Sequence, residues 1–360
     1  MGRVSIRAAH AWLGPGGLTS DVQIDLAAGA IAAVGRPHPI PEGDELLELD
    51  GFVMPAAADR HVHVGLADPG SVLLRGVTAV RDLAWPADRI FGLADASELD
   101  TFNGPLVRAA GPMLTAPGGY PTRAGWAPPG TGRELLGPDD AASAVRELAD
   151  LGAAAIKVSL NAEAGPTPTD GELAAIVQAA GTADLPVTVH AQGAGQVERA
   201  LGAGVAELAH TPWTHRLSDD LVAGLARSVR IVSTLDIQSF GRDTPEIRTA
   251  LDNLRRFHVA GGTVIYGTDL GNGPIPPGIH TRELQLLVEA GLEYEEVLEA
   301  MVRAPIEPGA PADLIGLAAS PLDDLRAFDR LAFVIRGGGV VTRHEGSDRE
   351  IPTRRGGLTR

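Results

Sequence analysis

The chain has 360 residues, of which 44% are hydrophobic and 21% are charged, so it can bury a large core and lacks the composition of a disordered or fibrous protein. Its 46 acidic residues outnumber its 30 basic residues, and the resulting net charge of −16 argues against nucleic acid as a partner. The chain contains no cysteine, which excludes disulfides, thiol nucleophiles and thiolate metal sites.

The sequence has no stretch that approaches the roughly 18 consecutive apolar residues of a membrane span. Its first residues also lack the apolar core of a secretory signal. We therefore expect a cytoplasmic protein that acts on a small-molecule substrate and has neither a membrane nor nucleic acid as a partner. Whether it forms a homo-oligomer stays open.

Both ends of the chain show the alternation and glycine punctuation of short, half-buried strands. The candidate strands at the ends are residues 3–7, 22–26 and 31–35, and then 312–317, 331–336 and 339–341. Two β-rich ends therefore flank a middle of a different character.

In the middle, between about residues 53 and 305, short apolar runs alternate with amphipathic helical stretches, which is typical of βα units around a parallel sheet. The candidate strands lie within residues 51–64, 77–82, 106–110, 154–160, 186–191, 205–210, 231–235 and 263–269. Predicted helices cover 139–151, 244–260 and 280–290, and a capping-box pattern at 169–172 opens another.

Eight strands with interleaved helices in about 250 residues predict an α/β fold, a (β/α)8 TIM barrel. A doubly wound sheet is the alternative. It would need a glycine-rich phosphate loop after the first strand, and the sequence has none there.

A set of polar residues lies at or near the ends of different candidate strands. His61 and His63 share one face of the first strand because alternate residues of a strand point the same way. The others are Lys157, His190, His210 and Asp269. The carboxyl ends of barrel strands form one rim, so we expect these six side chains to meet there.

This set of side chains predicts a metal site. Imidazole and carboxylate ligands without cysteine suit a catalytic Zn²⁺ or a related divalent ion that keeps one position open for water. Lys157 is the only lysine beside 29 arginines, which suggests chemistry that a guanidinium cannot supply. Because a cation is repelled by a dication, Lys157 must be neutral through a lowered pKa, or carbamylated by CO2.

Five segments of the sequence resemble the metal-ligand motifs of the amidohydrolase superfamily, in particular its branch similar to prolidases and imidazolonepropionases. The segments are HVH, AIKV, VTVHAQG, ELAHTPW and YGTDLG, and the resemblance covers nearly the whole chain. It implies a composite β-sandwich built from residues 1–52 with 306–350 and a metal-dependent (β/α)8 catalytic barrel over residues 53–305.

The resemblance also implies a binuclear metal centre, with two Zn ions expected and Mn, Fe or Co as alternatives. It assigns one ion to His61, His63 and Asp269, the other to His190 and His210, and the bridge between them to Lys157 as a carbamate. Asp269 would take a proton from the attacking hydroxide and pass it to the leaving group.

Two further residues are candidates for substrate binding. Tyr120 stands where a family loop usually reads GGH, and with Trp126 it lies on a Gly/Pro-rich loop that could form a lid. His280 follows a Pro-rich loop after the last candidate strand and could face the substrate.

These observations predict a hydrolase that cleaves the C–N bond of a small amide, such as an N-acyl amino acid, a dipeptide or a cyclic amide, by means of metal-bound hydroxide. One alternative is a mononuclear deaminase or an imidazolonepropionase-type ring-opening hydrolase, in which Lys157 would not be carbamylated. An esterase or lactonase is another, because the same hydroxide can attack esters. A third is a non-enzymatic metal-binding or regulatory protein that retains the barrel.

Overall fold

The structure is a computed structural model that describes residues 3–343; residues 1–2 and 344–350 of the predicted sandwich segment lie outside this range. The strands are β1 (Val4–Trp12), β2 (Leu18–Ala27), β3 (Ala30–Gly35), β4 (Glu45–Pro55), β5 (Ala57–Val62), β6 (Val77–Asp82), β7 (Leu106–Ala109), β8 (Met113–Thr115), β9 (Gly132–Glu134), β10 (Ile156–Asn161), β11 (Val187–Gln192), β12 (Glu207–Leu208), β13 (Arg230–Val232), β14 (Val264–Ile265), β15 (Leu314–Leu317), β16 (Leu331–Arg336) and β17 (Gly339–Arg343). The helices are α1 (Pro69–Leu74), α2 (Ala87–Ser97), α3 (Pro138–Asp150), α4 (Asp170–Thr182), α5 (Gln196–Ala203), α6 (Asp219–Ser228), α7 (Pro245–Val259), α8 (Thr281–Glu289) and α9 (Tyr294–Met301).

Helix starts follow the capping chemistry of the sequence. Thr169 caps α4 by accepting the N–H of Glu172, and the Glu172 carboxylate accepts the N–H of Thr169 in return. This confirms the predicted capping box, which satisfies backbone donors at the first turn. Within residues 3–343, no helix combines the length and apolarity needed to cross a membrane.

The two β-rich ends of the chain meet in one seven-stranded mixed sheet with the order β17-β16-β15-β4-β1-β2-β3. β1 and β4 are parallel, whereas β15 pairs antiparallel with both β4 and β16. One face of this sheet is buried in a hydrophobic core separate from the main one, to which Ile6 of β1, Ile24 of β2 and Ile335 of β16 contribute. Every second side chain of a strand points to the same face, so each strand can supply several residues to this core.

The middle of the chain forms two further sheets, in which all neighbouring strands are parallel: β5-β6-β7 and β14-β13-β12-β11-β10-β8-β9. Backbone hydrogen bonds join these sheets at two places. Ala154 N donates to Ala109 O at 2.8 Å, and Asp269 N donates to His61 O at 2.8 Å. The main hydrophobic core contains residues of both sheets and of the helices that pack on them.

Each of the eight predicted strand segments in the middle overlaps an observed strand, but the first prediction runs two strands together. Residues 51–64 include the end of β4, which belongs to the terminal sheet, and all of β5. The partner changes between them: Ala56 N donates to Asp313 O, and Ala57 N donates to Gly76 O. The short strands β8 and β9 and the helices α1, α2, α5, α6 and α9 were not predicted.

Candidate metal centre

His61, His63 and Asp269 form one compact, buried group. His61 lies on β5, His63 directly follows the end of that strand, and Asp269 follows β14. Asp269 Oδ1 lies 3.4 Å from His61 Nε2 and 3.2 Å from His63 Nε2. Ligand atoms of all three residues lie within 4.8 Å of one another, so this group could hold a metal ion.

His190 and His210 lie beside this group. His190 is on β11 and His210 follows β12, the neighbouring strand. Their ring centroids are 4.6 Å apart, and the His210 ring is 4.5 Å from the His61 ring. The structure therefore brings all four predicted histidines and Asp269 into one buried cluster.

Each of the four imidazoles uses one ring nitrogen to contact an oxygen that is not a metal-ligand candidate. Three use Nδ1: His61 contacts Ala209 O at 2.7 Å, His63 contacts Ala84 O at 3.2 Å and His210 contacts Thr234 Oγ1 at 2.9 Å. A backbone carbonyl can only accept, so Nδ1 carries a proton in His61 and His63, and in the neutral ring Nε2 keeps a free lone pair. Such contacts orient the ring of a metal-ligating histidine.

His190 is engaged through the opposite nitrogen. Its Nε2 lies 3.0 Å from Gln192 Oε1, and the longer contact, to Asn161 Nδ2, is 3.3 Å. Gln192 Nε2 donates to Glu163 Oε2 at 2.9 Å, which directs the amide oxygen of Gln192 toward the imidazole. His190 therefore presents Nδ1 as its free nitrogen.

Lys157 is the second residue of β10, so the expectation that it lies near the carboxyl end of its strand is wrong. The side chain is fully buried, and within residues 3–343 Nζ has no hydrogen-bond partner. Burial lowers the pKa of Lys157 to about 7, because a buried ammonium loses its hydration. An unpartnered, readily deprotonated amine fits both the neutral and the carbamylated form expected beside a metal ion.

The pKa values of three of the four histidines favour neutral rings, the form that binds metals. Burial, followed by the charge of Lys157, lowers the pKa of His190 to about 4 and that of His61 well below its usual value. Burial also lowers the pKa of His210, with His190 and Lys157 as further causes. In His63 burial is opposed by the hydrogen bond and charge of Asp269, and the pKa is raised.

A second buried carboxylate holds the ligand-bearing segments together, and it was not among the residues predicted from the sequence. Asp59 accepts the backbone N–H of His61 at 3.0 Å and the hydroxyl of Thr268 at 2.5 Å, so it ties β5 to the segment that carries Asp269. Burial raises the pKa of Asp59 to about 7. Its position two residues before His61, on the same strand face, was a usable signal.

Aromatic rings border the histidines. The Tyr120 ring lies 5.3 Å from His190, and Trp126 lies 4.5 Å from His63. Trp213, which was not predicted as a site residue, lies 5.5 Å from His210. The predicted substrate-binding residue Tyr120 is thus brought to the cluster.

The structure places the other predicted substrate-binding residue, His280, in a different pair. His280 Nε2 lies 2.7 Å from Asp236 Oδ2, and its backbone N–H donates to Tyr266 Oη at 2.9 Å. In the part of the chain that the structure describes, its ring contacts none of the four clustered histidines.

Comparison with known proteins finds similar structures but no similar sequence family. No protein-family model and no curated protein matches the sequence. Similar solved structures include a Xaa-Pro dipeptidase with bound methionine (TM-score 0.79, 22% identity, 94% of this chain and 99% of that chain). Others are a Bifidobacterium longum protein described as a candidate prolidase (0.81, 25%, 95% and 95%) and the A. niger ochratoxinase (0.79, 21%, 94% and 95%).

The chain has the fold of the prolidase-like amidohydrolases. The structural similarity extends over almost the full length of each of these proteins, so it includes the terminal sheet as well as the parallel sheets. This confirms the resemblance drawn from the five sequence motifs.

Proposed function

We propose that this protein is a metal-dependent hydrolase that cleaves the C–N bond of a small amide. The observation that carries the proposal is the orientation of the imidazoles: each is held through one nitrogen, and Asp269 is buried beside them. The buried Lys157 amine has no hydrogen-bond partner within residues 3–343, and its charge lowers the pKa of three of the histidines. A cluster of this kind leaves several buried lone pairs without protein donors, which is costly unless a cation binds them. The prolidase and dipeptidase names among the similar structures support the choice of amides.

The ligand assignment follows the two groups of side chains. His61, His63 and Asp269 would hold one divalent ion, and His190 and His210 would hold the other, with Lys157 between them. Neutral Lys157 would form an N–C bond to CO2 and release one proton, so that its carbamate supplies two anionic oxygens. A pKa of about 7 supports this step, because the free amine is then abundant in mildly alkaline solution.

A bound divalent ion makes hydroxide available near neutral pH and polarises a carbonyl oxygen. Asp269 would act in proton transfer, since its carboxylate lies within 3.4 Å of His61 Nε2 and 3.2 Å of His63 Nε2. It would accept the proton of the attacking water and deliver it to the nitrogen of the leaving amine, so that the carboxylate is regenerated at the end of each turnover.

The proposed site requires the parallel strands to close into the predicted (β/α)8 barrel, and we propose that they do. Two backbone hydrogen bonds support this closure: one joins β5 to the segment after β14, and the other joins β7 to the segment before β10. The division into a composite β-sandwich built from residues 1–52 with 306–350 and a catalytic barrel over residues 53–305, like the cytoplasmic location, remains a prediction.

The function is tested with protein reconstituted with Zn²⁺, Mn²⁺ or Co²⁺ in bicarbonate buffer. Release of free amine is measured from N-acyl amino acids, Xaa-Pro and other dipeptides, cyclic amides and, for comparison, matched esters. We expect amide hydrolysis and about two ions per chain by elemental analysis. One ion per chain with ammonia release or ring opening would support the mononuclear alternative, and a blank screen on metal-loaded protein would contradict the proposal.

Metal removal supplies the second test. A chain of this size buries enough apolar surface to remain folded without an ion, unlike small domains whose metal binding supplies their folding free energy. Chelation should therefore abolish hydrolysis while the far-ultraviolet circular dichroism stays nearly unchanged, and added metal should restore turnover. Cooperative unfolding on chelation would mean that the metal is structural.

A further inference from the structure

A hydrogen-bonded pair of aromatic residues, Tyr120 and Trp126, borders the candidate metal centre. Trp126 Nε1 lies 3.0 Å from Tyr120 Oη. An indole N–H can only donate, so the phenol oxygen is the acceptor in this contact and the phenol keeps its own O–H for another partner. Within residues 3–343 no acceptor for that hydrogen is found.

The pair spans the two groups of ligand candidates. The Trp126 ring lies beside His63, which belongs to the group with Asp269, and the Tyr120 ring lies beside His190 of the other group. The hydrogen-bonded pair therefore reaches from one group to the other, and under the proposed function the scissile carbonyl would bind beside it. Both residues come from the loop between β8 and β9.

The surroundings keep the phenol protonated. Burial, followed by the negative charge of Asp269, raises the pKa of Tyr120 above its usual range. The ordinary pKa of a phenol, about 10, already keeps it protonated near neutral pH, so Tyr120 can donate a hydrogen bond there without losing its proton. Its role is therefore that of a hydrogen-bond donor and differs from that of a general acid.

We propose that Tyr120 donates its phenol O–H to the oxygen of the scissile carbonyl, and that Trp126 is a positioning residue that orients this hydroxyl through its indole N–H. The inference rests on the proposed function of the same site. The hydrogen bond strengthens as the carbonyl oxygen gains negative charge in the tetrahedral state, while the proton stays on Tyr120. Preorganised donors of this kind act mainly on the transition state.

The first test is Tyr120→Phe, which retains the ring beside His190 and removes only the hydroxyl. In metal-loaded enzyme kcat should fall by about 10²–10³, as for loss of another oxyanion donor, whereas KM changes by less than about threefold. Metal content should match wild type. Tyr294→Phe, a phenol at the start of α9 and outside the site, is the matched control and should keep full activity.

The second test is a double-mutant cycle. Trp126→Phe should lower kcat by about tenfold, the scale of one hydrogen bond. Because the indole acts through the phenol, the same change in the Tyr120→Phe background should have almost no further effect. An undiminished Trp126→Phe effect in that background, or kcat of Tyr120→Phe within about threefold of wild type, would overturn the proposal.

Two readouts separate this inference from a merely structural role and from the proposed function. The pH profile of Tyr120→Phe should keep its shape while its height falls, since no titrating group is lost in the working range. The dissociation constant of a methylphosphonamidate of an amino acid, a tetrahedral mimic, should rise by a factor similar to the loss in kcat/KM. Calorimetry measures this affinity without turnover, so the two proposals can fail separately. If the wild-type enzyme cleaves no amide, the proposed function fails. If wild type and Tyr120→Phe bind the mimic with equal affinity, the role of Tyr120 is refuted.

Discussion

Two fully buried ionisable residues, Lys157 and Glu207, lie in one row of the parallel sheet and differ in how they are satisfied. Lys157 on β10 pairs in register with Thr188 on β11, and Thr188 pairs with Glu207 on β12. Glu207 forms a salt bridge with Arg81, accepts the Thr188 hydroxyl at 3.0 Å and lies 3.5 Å from Arg230. Lys157 Nζ has no hydrogen-bond partner among the described residues.

The difference shows how structural and functional buried charges can be told apart. A buried charge that contributes only to structure needs its partners within the protein, as Glu207 has, because unpaired burial is costly. Lys157 is buried to the same degree without them, and four histidines with fixed orientations lie nearby. Of the two residues, Lys157 is therefore the one expected to interact with a group that the protein itself does not supply, such as CO2 or a metal ion.

Substitution of Lys157 should give the largest effect. Lys157→Ala should bind less metal and lose turnover, and short carboxylic acids in solution should restore part of it by replacing the carbamate oxygens. Lys157→Arg should fail as well, although it keeps the ordinary charge, because a guanidinium stays protonated and cannot form a carbamate. Normal metal content and turnover in Lys157→Arg would mean that Lys157 resembles Glu207 in being structural.

Asp269→Asn tests the proton-transfer step. Asp269 has a left-handed backbone with φ of 60°, a conformation that Asn tolerates well, so the fold should be retained. Turnover should fall by about 10²–10⁴, the scale of a lost general base. Steady-state kinetics on protein with verified metal content measures this, and near-normal activity would be incompatible with the assigned role.

Glu207→Gln tests whether the buried Glu207, which has its partners within the protein, contributes to stability. Removal of one charge of a buried pair leaves Arg81 uncompensated, so the free energy of unfolding should fall by about 3 kcal/mol. Glu98→Gln, which breaks the exposed pair with Arg108, is the control and should cost less than about 1 kcal/mol. Urea denaturation gives both values, and the metal content of Glu207→Gln should remain as in wild type. Loss of metal without loss of stability would mean that Glu207 serves the metal site and is not a structural residue.

Asp236 should give the smallest effect, and one that depends on pH. Burial opposes ionisation, but hydrogen bonds from His280, Ser239 and Gly241 lower the pKa of Asp236 from 3.8 to about 2. A depressed folded-state pKa contributes stability above the unfolded value, and that contribution is lost as pH falls from about 4 toward 2. Asp236→Asn should thus cost about 1–2 kcal/mol at pH 7, after allowance for solvent screening, and less at pH 3. A difference in unfolding free energy that stays constant between these pH values would contradict this assignment.

The sequence by itself determined most of the ligand candidates. His61 and His63 follow from the period of two along a strand, and His190, His210 and Asp269 follow from the rule that polar residues after parallel strands share an edge. The capping box of α4 was equally local, because it depends on two residues three positions apart. Lys157 stands out by composition alone, since it is the one lysine among 30 basic residues.

Only the tertiary structure decided how these residues are oriented, because their orientation depends on contacts between segments that are distant along the chain. The free nitrogen of each imidazole depends on partners such as Ala84 O, which lies 21 residues from His63, and no local pattern encodes them. The same holds for the break between β4 and β5, where the hydrogen-bonding partner changes. Likewise, Tyr120 and His280 looked equivalent in sequence, and the structure brings the first to the histidines and pairs the second with Asp236, because loop paths are set by packing between segments that are remote along the chain.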